Sequence, residues 1–96
     1  MSYNLPERFE TRLPIVLSDF PNVEKVILYG SRARGDHRYN SDIDIALVGE
    51  NLRSEVSSRL REAAGLYHLD VVMFNLIDNP ELLQEILKDG KIIYGK

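Results

Sequence analysis

The 96-residue sequence contains no cysteine. That excludes a disulfide framework and a thiolate metal site, and a reducing compartment is the simplest fit. It contains no apolar run approaching the roughly 20 residues that a membrane-spanning helix needs. The N-terminus does not read as a secretory leader either, because Glu7 and Glu10 fall within it and no apolar stretch precedes them. A soluble, cytoplasmic protein without membrane contact is therefore expected. There is no surplus of positive charge. The formal charge is −3, which argues against direct binding along a nucleic-acid backbone. Repeats, low-complexity tracts and linkers are also missing, and a chain of this length leaves no room for a second core. Residues 1–96 read as one domain.

What is present is a hydrophobic fraction of 44%, ordinary for a folded protein, arranged in short periodic runs. Leu5, Phe9 and Leu13, then Val16, Leu17 and Phe20, recur at helical spacing. Pro14 interrupts them, which predicts a kink, or a turn followed by a helix from Pro14 to Pro21. Val26-Ile27-Leu28-Tyr29, closed by Gly30, reads as a buried strand. Residues 31–35 suit a short helix or turn and residues 36–41 a polar loop. Residues 42–48 alternate as a second strand, ended by Gly49. Residues 51–64 read as a helix with Leu52, Val56, Leu60 and Ala63 on one stripe and Gly65 beyond its end. Residues 69–74 read as a third strand. Asn79-Pro80 caps a last helix, with Leu82, Leu83, Ile86 and Leu87 as its buried stripe and Gly90 as its stop. Residues 91–94 form a short edge strand or pack back on the core. Strands interleaved with helices give a small α+β or α/β sheet covered by helices, with strand order and direction left open.

The chemistry concentrates in the stretch GSRARGDHRYNSDID, Gly30 to Asp44. Side chains alternate along a strand, so Ile43, Ile45 and Leu47 face the core while Asp42 and Asp44 project together from the other face. Carboxylates at that range repel and demand a counter-ion. Arg34 or Arg38 is near enough in sequence to supply one, but Mg²⁺ suits carboxylate and phosphate oxygens better. Asp70 is a third carboxylate, in an otherwise apolar strand where it is costly unless paired or coordinated. If that strand lies beside the second, Asp42, Asp44 and Asp70 form a cluster able to hold two metal ions for in-line phosphoryl or nucleotidyl transfer. Gly30-Ser31 follows the first strand directly. Glycine lets the backbone approach a phosphate, the amides of the next turn point at it, and Ser31 adds a hydroxyl. Arg32, Arg34, His37 and Arg38 crowd beside it, a local basic loop that suits a small anionic ligand.

Taken singly, each feature has a plainer explanation. Gly-Ser after a strand is most often a turn, Asp-x-Asp at a strand start is often solvated, and the arginines alone make a solvated face. His37 and His68 are assigned no catalytic part, and Tyr29, Met73 and Phe74 read as core. The ordered combination is more specific. It resembles the nucleotidyltransferase superfamily that shares the DNA polymerase β catalytic fold, whose signature is Gly-Ser, a spacer, Asp-x-Asp and a third carboxylate on a later strand. Here these are Gly30, Ser31, Asp42, Asp44 and Asp70. The exact form is similar to the minimal nucleotidyltransferases over nearly the whole chain, with Tyr29, where phenylalanine is common, as a mild departure. The resemblance implies a small mixed β-sheet flanked by helices. It implies that Asp42 and Asp44 bind Mg²⁺ or Mn²⁺, and that Asp70 completes a second metal site and favours deprotonation of an incoming hydroxyl. Gly30 and Ser31 would hold the terminal phosphates, with Arg32, Arg34 and Arg38 as weaker candidates for phosphate contacts. The implied reaction is attack of a hydroxyl on the α-phosphate of ATP with loss of pyrophosphate.

Larger members of that superfamily carry extra domains that bind the acceptor. A chain of this length is expected to take its acceptor from a partner. The resemblance implies which one: a HEPN ribonuclease toxin, held in a hetero-oligomer and adenylylated on a tyrosine by the minimal nucleotidyltransferase as its antitoxin. Two other readings stay open. One is an antitoxin that neutralises by contact alone, and the other is a transferase acting on a small molecule or an RNA end.

Overall fold

The computed structural model describes residues 5–95. Residues 1–4, the start of the stretch read above for a leader, and residue 96 lie outside them. Among the described residues the strands are β1 (Val23–Tyr29), β2 (Ile43–Gly49), β3 (Leu69–Met73) and β4 (Lys91–Gly95). The helices are α1 (Glu7–Leu17), α2 (Ser31–Arg34), α3 (Glu55–Ala64) and α4 (Pro80–Asp89), with a 3₁₀ turn at Phe74–Leu76. The sheet order is β3-β2-β1-β4. β1 runs antiparallel to β2 and to β4, and β2 runs parallel to β3. The mixed sheet is the one the resemblance implied.

The two faces of the sheet are covered unequally. Val26 and Leu28 of β1, Ile43, Ile45 and Leu47 of β2 and Leu69 of β3 pack in one core with Phe9, Leu13 and Leu17 of α1 and Val56 and Leu60 of α3. Burying each such large side chain contributes about 1.5–3 kcal/mol, so this face carries most of the stability. The opposite face has a smaller cluster, in which Tyr29 and Ala46 meet Ile86 of α4, with Ile27, Val72 and Leu82 beside them. Asn79 caps α4 as the sequence suggested, its side-chain oxygen accepting from the amides of Glu81 (2.9 Å) and Leu82 (3.4 Å).

Several elements depart from their expected bounds. One helix runs through Pro14 instead of breaking there. Proline removes the donor to the Glu10 carbonyl, but Phe9 and Leu13 before it and Val16 and Leu17 after it are all buried and hold both halves on the core. β1 starts three residues earlier than the apolar run, because Val23 pairs with Gly49. The third helix starts at Glu55 rather than residue 51, where Asn51 takes a positive φ of 55°. The last helix buries a narrower stripe than expected. Ile86 is buried, whereas Leu87 is 68% exposed. β4 is a paired edge strand.

Candidate active site

The register of the sheet puts the site's residues in one row. Tyr29 of β1 pairs with Asp44 of β2, and Asp44 pairs with Asp70 of β3. Paired residues share a face, so the row Tyr29–Asp44–Asp70 lies on the α4 side. The next row on that face is Ile27–Ala46–Val72, which Ile86 covers. The charged row is thus one step beyond the apolar row that anchors α4, at the open end of the sheet. Asp42 does not belong to β2 as expected. The ladder begins at Ile43, whose N–H donates to the His68 carbonyl at 2.9 Å, and Asp42 stands exposed just before it. Asp70 is also exposed, since β3 is an edge strand, so the burial cost expected for it is not incurred. Asp44 alone of the three is half-buried.

Gly30 joins this row to the following turn. Its φ of 75° and ψ of −156° suit glycine alone. A Cβ placed on it would lie 2.5 Å from Asp44 Oδ2, so only glycine lets the Asp44 carboxylate rest against the chain there. α2 begins at the next residue, Ser31, and its turns close through Ala33 and Arg34 amides on the Gly30 carbonyl at 3.1 and 3.0 Å. The first amides of a helix have no acceptor within it and face outward from its start. Gly30 thus stands directly beside the central carboxylate, with Ser31 next in the chain.

The electrostatics of the row are one-sided. Burial pushes the Asp44 carboxyl above its ordinary range, and the charges of Asp70, Asp42 and Glu85 push the same way, with His68 opposing them. The Tyr29 phenol is pushed up to about 12, first by burial and then by Asp44, Asp70 and Glu85. Among the described residues, no ion pair supplies Asp42, Asp44 or Asp70 with a cation. Two participants were not read from the sequence. Tyr29 was taken as core only, and Glu85 of α4 was not singled out, because an acid on the exposed side of a helix carries no distinguishing pattern.

The arginines divide into different roles. Arg32, expected among the phosphate contacts, is instead 3% exposed. Its Nε and Nη2 donate to the Ser41 carbonyl at 3.1 and 2.9 Å, Nη2 also donates to the Tyr39 carbonyl at 3.1 Å, and the guanidinium lies 5.3 Å from the centre of the Tyr67 ring. It fixes the loop that leads into β2, and burial lowers its pKa despite the favourable charges of Tyr67 and Asp42. Its five fixed donors suit that task, since a compact ammonium could not span two carbonyls in this way. Arg34 remains on the surface, paired with Asp36 at 3.1 Å and reaching Asp89 of α4 at 3.7 Å.

The donor set fits a hard divalent cation in kind: carboxylate oxygens, unpaired and mutually repelling, beside a glycine-bounded turn. The closed cluster of Asp42, Asp44 and Asp70 expected from the sequence is not drawn together. Among the described residues no group of three or more acidic or imidazole side chains is close enough to hold a metal ion. Like charges with two exposed members spread apart, and only Asp44 and Asp70 are fixed opposite each other by the ladder. A cavity of about 390 Å³ opens beside Asp42, lined also by Tyr39, Asn40, Leu66, Tyr67 and His68. A larger one, about 620 Å³, lies at the far end of β2 around Gly49, Asn51 and Met73, away from the carboxylates. None of the helices among the described residues is long and apolar enough to cross a membrane.

Comparison with known proteins agrees with this geometry. The family described as "Polymerase beta, Nucleotidyltransferase" matches residues 12–96. A Methanocaldococcus jannaschii protein assigned the name protein adenylyltransferase is 32% identical over 79 residues, covering 75% of this chain and 79% of that protein. A toxin–antitoxin crystal structure with AMP-PNP superposes with a TM-score of 0.73 at 28% identity, covering 91% of this chain and 73% of the other. The Shewanella oneidensis complex of a tri-AMPylated HEPN toxin with its MNT antitoxin matches in fold, with a TM-score of 0.67 at 24% identity over 92% of this chain and 71% of the other. The sequence motif, the mixed sheet and the matched span agree: the chain is a nucleotidyltransferase and belongs to the polymerase β nucleotidyltransferase family.

Proposed function

We propose that the chain is a cytoplasmic, metal-dependent protein adenylyltransferase that moves AMP from ATP to a tyrosine hydroxyl of a HEPN-family toxin, and so acts as its antitoxin. The observation that carries the reading is the contact between the Asp44 carboxylate and Gly30. It sets the phosphate-binding turn and the carboxylate row against each other at one point. The names of the similar proteins, one an adenylyltransferase and the others antitoxins, support the choice of acceptor.

In this reading the acceptor oxygen attacks the α-phosphorus, and the bond from that phosphorus to the β-phosphate's bridging oxygen breaks. Pyrophosphate leaves, and the acceptor's proton passes to the exposed Asp70 side. Gly30 and Ser31 hold the terminal phosphates, and Arg34, a surface cation on α2, reaches toward them by releasing its exposed pairs with Asp36 and Asp89. Mg²⁺ or Mn²⁺ would be held first by Asp44 and Asp70, which the ladder sets opposite each other, with the exposed Asp42 swinging in to join them, and would neutralise phosphate charge and lower the pKa of the attacking hydroxyl. The chain's own part is alignment and fixed electrostatics, which supply most of the rate in such transfers.

The test incubates the chain with ATP, Mg²⁺ and the HEPN-family protein encoded beside it, then measures intact masses. Adenylyl groups are expected on the partner with the wild type and none with the Asp42→Asn/Asp44→Asn pair. If the double variant folds and still neutralises the toxin fully, contact alone explains the antitoxin and catalysis is not required.

A further inference from the structure

The cavity beside Asp42 has walls that the phosphate and carboxylate chemistry leaves without a purpose. Tyr39 is 84% exposed and Leu66 is fully exposed, and both line it together with the half-buried Tyr67. Large apolar side chains with this exposure at one groove mark a binding surface, and tyrosine is enriched at such surfaces. The groove is also held rigid. Arg32 bonds the carbonyls of Tyr39 and Ser41 and lies over the Tyr67 ring, so one buried side chain ties the Tyr39 backbone to Tyr67. The loop itself closes through Ser41, whose amide donates to the Arg38 carbonyl at 3.0 Å and whose hydroxyl accepts from the Arg38 amide at 2.7 Å. Binding at pre-formed walls avoids ordering costs.

The groove is continuous with the catalytic row. Asp42 lines it, and His68, on its other side, lies two residues before Asp70 and is bonded through its carbonyl to the start of β2. We propose that this groove receives the segment of the partner protein that carries the acceptor hydroxyl, with Tyr39 and Leu66 gripping apolar side chains next to the acceptor. The proposal rests on the protein-adenylyltransferase reading above. Charge selects the segment. Asp42 lines the groove, with Asp44, Asp70 and Glu85 in the row beyond it, so the segment is apolar with a basic residue toward that row. A base-sized ligand also fits a cavity of this volume, and the experiment separates the two.

Leu66→Glu and Tyr39→Ala change exposed side chains and leave the core intact. Thermal unfolding checks that both variants fold. Affinity for the HEPN-family protein encoded beside the chain is measured by calorimetry without nucleotide, and affinity for AMP-PNP with Mg²⁺ is measured separately. Partner affinity is expected to fall roughly tenfold or more in Leu66→Glu and less in Tyr39→Ala, with AMP-PNP affinity unchanged. Unchanged partner affinity in both variants overturns the proposal. A loss of AMP-PNP affinity with partner affinity intact also overturns it and gives the groove to the base. A wild-type chain that binds the partner without adenylylating it overturns the proposed function, while the affinities still decide the groove.

Discussion

Replacing Gly30 by alanine perturbs the contact on which the site is built. The backbone there, at φ 75° and ψ −156°, lies in a region nearly reserved for glycine, and holding another residue in it costs on the order of 1–3 kcal/mol. The added Cβ would lie 2.5 Å from Asp44 Oδ2 and 3.3 Å from its Cγ. The carboxylate must therefore rotate away, at a further cost of about 0.5–1.5 kcal/mol for an off-rotamer side chain. Asp44 Cβ, at 3.5 Å, is in ordinary contact and need not move. A total of about 2–4 kcal/mol is a large share of the roughly 5–15 kcal/mol that stabilises a domain. At about 4–8 °C per kcal/mol for a chain of this size, the melting temperature falls by roughly 10–30 °C. Thermal unfolding followed by circular dichroism on wild type, Gly30→Ala, Asp44→Ala and the double variant separates the parts. Asp44→Ala removes Oδ2 and Cγ, so in its background Gly30→Ala keeps the backbone cost and loses the steric one. A Gly30→Ala protein that melts with the wild type refutes the reasoning, and so does a double variant in which the whole cost disappears.

Asp44→Asn is expected to abolish transfer with little loss of fold, and without divalent cation it melts at or above wild type because it relieves like-charge repulsion. The pH dependence has a definite sign. The folded chain holds the Asp44 proton more tightly than the unfolded chain does, so the contribution of Asp44 to stability is greatest below the ordinary value of 3.8. It then falls as the pH rises through the raised value and levels off above it. Calorimetry from about pH 3 to pH 8 on both proteins should show wild type losing stability relative to Asp44→Asn as the pH rises; a difference of the opposite sign contradicts the burial of Asp44. The two arginines should separate: Arg32→Ala leaves two carbonyls without donors and costs about 2–4 kcal/mol by denaturant unfolding, whereas Arg34→Ala leaves stability nearly unchanged and weakens ATP affinity. In a spectroscopic pH titration, Tyr29→Phe should leave the tyrosinate signal unchanged below about pH 11, because the Tyr29 phenol titrates near 12.

The strands and helices that bury a continuous stripe were legible in the sequence, because alternation in Ile43-Asp44-Ile45-Ala46-Leu47 and the helical spacing around Leu60 report burial directly. Pro14 does not break the helix, because local propensity yields when residues on both sides of it are buried. The order of the sheet was not legible, since no local pattern specifies which strands pair, yet that order is what brings Asp70 opposite Asp44. Gly30 and Asp44 are legible by motif, and the fold sets them side by side. Arg32 could not be told apart from Arg34 by sequence. Both are arginines two residues apart, and only the fold turns one into the core and leaves the other outside. Tyr29 joins the site through the β1–β2 register and Glu85 through the packing of α4, tertiary contacts that periodicity does not encode.

The central claim is that a nucleotidyl group, and not a terminal phosphoryl group, moves to a partner protein. ATP labelled on the α-phosphate and ATP labelled on the γ-phosphate distinguish these directly when each is incubated with the chain, Mg²⁺ and the HEPN-family partner. The α label should appear on the partner, at a tyrosine, while the γ label leaves entirely in pyrophosphate. The γ label on the partner, or neither label on a partner that the chain binds, would contradict the account.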